Sequence, residues 1–147
     1  MSTSETQLWS SSAEILKLSA NELYQAAIST VDFNKRYVYL TVAAEQGHEQ
    51  AIELLEHDYT HSKRLNKRQN HDITFPIYNE LIHNPKCIIN HGYLHNYLGH
   101  MYHFGLGVTI HIEKAIDLYR YAIDKSQNYF AMLNLGFLYG TTYGNYR

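Results

Sequence analysis

A single cysteine, Cys87, among 147 residues leaves no internal disulfide to build on, and a lone thiol fits a reducing compartment. Only two prolines, Pro76 and Pro85, and eight glycines interrupt the chain. That scarcity favours long helices over many short strands bounded by turns. No unbroken apolar run comes near the roughly 18 residues that a bilayer crossing needs, so no membrane partner is expected. The opening stretch from Met1 to Ser12 is polar and serine-rich, without a basic patch followed by an apolar block. It lacks the pattern of an export signal, and a cytoplasmic location is the expectation. Neither sign of charge dominates: the net charge is −2 and the pI is near 6.5. A dedicated nucleic-acid binder usually sits above a pI of about 9, so no nucleic-acid partner is expected.

What is present points to a packed core. Hydrophobic residues make up 45% and aromatics 14% of the chain, too much apolar surface for wholesale disorder. The length suits one domain spanning 1–147, with residues 1–10 read as a flexible N-terminus. Tyrosine reaches 14 copies and histidine 10. Charge is split along the chain: residues 1–59 hold nine acids and three bases, whereas residues 60–147 hold nine bases and five acids. A dipolar surface of this kind can steer a charged partner.

Helix signals follow in order. Ser11 with Glu14, and Ser19 with Glu22, have the Ser-x-x-Glu spacing of a capping box. After the second, Leu23, Ala27 and Ile28 share one helical face. Val31 and Asp32 read as a break. Lys35 to Gln46 reads as a helix with Tyr39, Leu40, Ala43 and Ala44 inward, closed by Gly47 where a left-handed residue is needed. Ala51, Leu54, Leu55 and Tyr59 begin another. Residues 60–72 have almost no apolar side chain and read as a long loop or a frayed helix end. Phe75 to Asn84 forms the next helix, with Pro76 in its first turn and Pro85 stopping it. Tyr93 to Phe104, Ile112 to Asp124 and Phe130 to Tyr139 supply three more.

Self-similarity sets the architecture. The run from Lys35 to Gly47 overlays Lys114 to Ser126 without a gap, and Leu98-Gly99 returns 37 positions later as Leu135-Gly136. A Leu-x3-Tyr step recurs at Leu55/Tyr59, Leu98/Tyr102 and Leu135/Tyr139. Small residues (Gly99, Ala115, Ala122, Gly136) let one helix lie close on the next, and the tyrosines fill gaps between pairs. Such a helix–turn–helix unit cannot bury its apolar face alone and must stack.

The segment Leu98-Gly99-x-x-Tyr102-x-x-Gly105-x-Gly107-Val108, followed by Lys114-Ala115-x-x-Leu118-Tyr119-x-x-Ala122, resembles the Sel-like repeat, a relative of the tetratricopeptide repeat. Lys35 to Leu55, with Ala43-Ala44-Glu45-Gln46-Gly47-His48, is similar to half of that repeat. The middle of the chain fits the pattern only loosely, and residues 85–92 fit no consensus position. The resemblance implies an all-α fold: an α/α superhelix (solenoid) of about three helix pairs plus a C-terminal capping helix. It also implies a concave face lined by the first helix of each pair. Counted from Leu23, Leu55, Leu98 and Leu135, the residues pointing into that face are Asn21, Gln25, Gln50, Glu53, His57, Thr60, Tyr93, Asn96, His100, His103 and Phe137.

Other constellations carry less. Phe104 to Val108 lacks the third glycine of a dinucleotide loop and the Lys-Ser/Thr of a P-loop, and it follows a helix where those follow a strand. A repeat turn is the simpler reading. The pairs His57/His61, His91/His95 and His100/His103 lie a helical turn apart, but no Cys-x-x-Cys or His-Glu-x-x-His accompanies them. No metal site and no cofactor is expected. The run Lys63-Arg64-Leu65-Asn66-Lys67-Arg68 reads as a solvated loop or a docking patch for an acidic partner. No Gly-x-Ser-x-Gly elbow is present, and Cys87 has no base fixed beside it in sequence, so no catalytic residue is assigned.

The function expected is a non-catalytic module that binds a partner protein in its concave groove. One specific form is an immunity protein that neutralises a cognate bacterial toxin, steered by the acidic N-terminal half. The alternatives are a signalling or assembly scaffold, a host-interacting effector of bacterial or viral origin, and a metal-dependent enzyme.

Overall fold

The computed structural model describes residues 12–58 and 70–143. Within them lie eight α-helices and no strand. They are α1 (Ser12–Leu16), α2 (Ala20–Ser29), α3 (Phe33–Glu45), α4 (Glu49–His57), α5 (His71–His83), α6 (Tyr93–Phe104), α7 (Ile112–Ser126) and α8 (Tyr129–Leu138), followed by a π-helical turn at Tyr139–Tyr143. Ser11, Thr60, the 1–10 terminus and the Lys63 to Arg68 run lie outside the described residues.

Caps explain where the helices start. The Ser19–Glu22 box closes in both directions, with Ser19 Oγ accepting from the Glu22 amide at 3.1 Å and Glu22 Oε1 accepting from the Ser19 amide at 3.0 Å. Asp32, expected to break the chain, instead starts α3 by accepting the Asn34 and Lys35 amides. Asn70 accepts the Asp72 amide and starts α5 four residues ahead of Phe75. That shift carries Pro76 out of the first turn into the helix interior, where its exposed ring is tolerated. Two histidines serve as caps that the sequence reading missed. His48 Nδ1 accepts the Ala51 amide at 3.3 Å, and His111 Nδ1 accepts the Lys114 amide at 3.2 Å.

Adjacent helices pack as pairs, most extensively at two places among the described residues. α2 packs on α3, and α6 packs on α7. The second pair is tight because Gly99 has no side chain: a Cβ there would sit 2.7 Å from Tyr119 Cε1. Gly107, at φ +73°, lets the turn after α6 pass the start of α5, where a Cβ would meet the His71 carbonyl oxygen at 2.2 Å. A left-handed residue in such a place is glycine's role.

The middle departs from a simple row of pairs. α5 packs on α6 and α3 instead of on α4. As a result α3 is surrounded, and every residue from Tyr37 to Glu45 is buried. A tyrosine cluster joins the three elements: Tyr37 meets Tyr97 edge-on at 4.8 Å, and Tyr78 stacks on Tyr97 at 5.8 Å. Such ring pairs add to what their buried area contributes. The Glu45 carboxylate, fully buried at the end of α3, accepts the amides of Asn90, His91, Gly92 and Leu94 at 2.5 to 3.1 Å. It fixes the α6 N-terminus to the α3 C-terminus, where a negative charge complements the exposed helix amides.

Candidate partner-binding surface

The residues carried into the concave face fall into three groups. Asn21 and Gln25 on α2, and Gln50, Glu53 and His57 on α4, are exposed. His48 binds the two helices together. Its Nε2 lies 3.5 Å from Asn21 Oδ1, and its ring stacks on Tyr24 at 4.5 Å. The exposed acids Glu22, Glu49, Glu53 and Glu56 belong to the same two helices. Among the described residues no cation is paired with Glu49 or Glu53, while the exposed Lys17 pairs with Glu14 at 3.0 Å. These carboxylates make the exposed surface of the two helices acidic in composition.

A second group is buried. Tyr93, Asn96 and His103 retain only 6%, 0% and 7% of their surface. Asn96 Oδ1 accepts from Asn134 Nδ2 at 2.9 Å, joining α6 to α8, and His103 Nδ1 lies 3.1 Å from the Tyr119 hydroxyl. The resemblance implies an open groove for these three; the structure buries them instead, Asn96 and His103 through these contacts with α8 and α7. Burial pushes the Tyr93 hydroxyl up to about 12, with Glu56 and Glu45 adding to the effect, and lowers the basicity of His103.

The third group is aromatic. Phe137 lies 6.0 Å from His103 and 6.1 Å from Phe104, and half-buried His100 lies 4.8 Å from Phe104. His100, His103 and Phe137 are thus brought together, with Phe104 as the member that sequence reasoning missed. Its spacing four residues after His100 was the available signal.

Two sites of possible chemistry resolve into structure. Cys87 is half-buried, and burial, with Glu45 nearby, pushes its thiol up to about 11. A thiol held protonated at neutral pH is a poor nucleophile. His95 stacks on Tyr121 at 4.0 Å beside a shallow cavity of about 500 Å³ that His111, Lys114 and Asp117 also line. Its Nδ1 is buried without a hydrogen-bond partner. Burial, helped by His83, lowers its pKa to about 4. Among the described residues no three His, Cys, Asp or Glu side chains converge to hold a metal ion, and no helix is long and apolar enough to cross a membrane.

Compared with known proteins, the chain matches no family model, no curated sequence and no solved structure.

Proposed function

We propose that this protein is a non-catalytic protein-binding module of the Sel-like repeat kind, and that its partner is a protein with a basic surface. The observation that carries the reading is the exposed face of α2 and α4. There Asn21, Gln25, Gln50, Glu53 and His57 present adaptable hydrogen-bonding groups among exposed acids, of which Glu49 and Glu53 have no paired cation among the described residues. Rigid helices hold these side chains, so little ordering is required of this chain on binding. Charge complementarity of this type speeds association and selects against acidic competitors. A cognate toxin with a basic surface is the first partner to test, and a scaffold or effector role is distinguished from it by the identity of the protein captured.

The test uses the full chain as bait, followed by direct binding to the captured protein. The expected partner is basic and binds less well as salt rises. Reversing Glu49, Glu53 and Glu56 to Lys should weaken binding at least about tenfold, mostly through slower association. A partner whose affinity is indifferent to both salt and the triple reversal contradicts the reading.

A further inference from the structure

Helix α7 carries Glu113, Asp117 and Tyr121 four residues apart, so the three form one row along its surface. All three border the cavity of about 500 Å³ that His95 reaches from α6. The two basic side chains on its wall are engaged elsewhere. His111 caps α7, and the Lys114 ammonium lies 5.1 Å from the centroid of the Tyr102 ring. Among the described residues no cation pairs with Glu113 or Asp117. His95 keeps only 8% of its surface, and its Nδ1 is buried without a hydrogen-bond partner. A polar atom in that state costs free energy that a ligand can recover. Tyr121, 44% exposed, lies stacked on the imidazole at 4.0 Å.

The chemistry of the wall selects the ligand. Two carboxylates against one diverted ammonium favour a cation over an anion. The imidazole stays neutral at physiological pH, since burial lowers its pKa to about 4. With its proton on Nε2, Nδ1 accepts a hydrogen bond. A flat cation with several N–H groups meets these features together: it pairs edge-on with a carboxylate, donates to a ring nitrogen and stacks under an aromatic face. An alkylammonium brings the charge without the plane.

We propose that this cleft binds a guanidinium group, with Asp117 and Glu113 as its counter-charges, His95 Nδ1 as its acceptor and Tyr121 stacked over it. Entry moves the Tyr121 ring from the imidazole onto the guanidinium, and Nδ1 gains the partner it lacks. Asp117 is the principal carboxylate. Glu113 is in the first turn of α7, where the positive end of the helix weakens its hold on a cation. The cleft belongs to α6 and α7 and does not rest on the acidic face of α2 and α4.

Titration of the full chain with agmatine, a free guanidinium compound, tests this by NMR of the histidine and tyrosine side chains. The His95 and Tyr121 resonances should shift and saturate, with a Kd on the order of 1 mM. N-carbamoylputrescine, the neutral urea isostere, should bind at least about tenfold more weakly. Asp117→Asn, at an exposed position, should weaken agmatine binding at least about tenfold as well. His95→Phe keeps a ring against Tyr121 but removes Nδ1, and should lose affinity at unchanged helical content. Where it fails to fold, the urea and Asp117→Asn arms still decide. A blocked Gly-Arg-Gly peptide separates the sources of the group: saturation by agmatine alone assigns a free small molecule, and saturation by the peptide as well assigns an arginine side chain of another protein. No saturable shift at His95 with either probe, equal affinity for the urea, or indifference to Asp117→Asn overturns the proposal.

Discussion

Single residues hold this fold through placements that composition does not reveal. Glu45 resembles any other surface acid in sequence, yet it is fully buried and accepts four backbone amides of the next helix pair's entry. Glu45→Ala leaves those donors without their acceptor, at a cost of about 3 kcal/mol or more. For a chain of this length the melting temperature should fall on the order of 10 °C, measured by thermal unfolding followed by circular dichroism. His95 supplies a pH dependence. Its folded pKa is lowered to about 4 from an ordinary 6.5, so the unfolded chain binds the proton first. The stability from a neutral His95 is therefore complete above pH 6.5 and is lost as pH falls toward 4. The loss expected is on the order of 1–2 kcal/mol, given partial screening by solvent. Urea midpoints across that window should decline, and His95→Gln should flatten the decline. His71 and His103 shift in the same direction and share in it.

At the scale of elements, two glycines in equivalent places of the repeat have opposite environments. Gly99 lies under Tyr119, and Gly136 faces open space. Gly99→Ala should destabilise by about 1–3 kcal/mol, because overpacking outweighs the gain in helix propensity. Gly136→Ala should stabilise by up to about 1 kcal/mol. Chemical denaturation of the two variants side by side checks the pair. Helix existence was legible in the sequence because capping residues and apolar spacing agree along most of the chain. Starts were less legible, since Asp32 reads as a break and Asn70 falls in the expected 60–72 loop, yet both act as caps, and histidine is an unusual choice at positions 48 and 111. Depth was not legible at all for Asn96. Spacing assigns a residue to a face, but only packing decides whether the face is covered.

For the whole molecule, α2 with α3 and α6 with α7 pack as adjacent helices, whereas α5 turns onto α6 and α3. The tight α6–α7 pair was readable from Gly99, Ala115 and Tyr119, whereas the turning of α5 onto α6 and α3 depends on long-range contacts that no local pattern encodes. The same division governs the candidate site. The exposed positions on α2 and α4 are carried by helical spacing alone, while the aromatic group at His100, Phe104 and Phe137 belongs to α6 and α8. The central claim is that a basic partner sits on the acidic face. Hydrogen–deuterium exchange of the chain, with and without its captured partner, tests that claim most directly. The account predicts slowed exchange in α2 and α4, residues 20–29 and 49–57, with little change in α5 and α7. Protection confined to α5 or α7, with α2 and α4 exchanging as in the free chain, would contradict it.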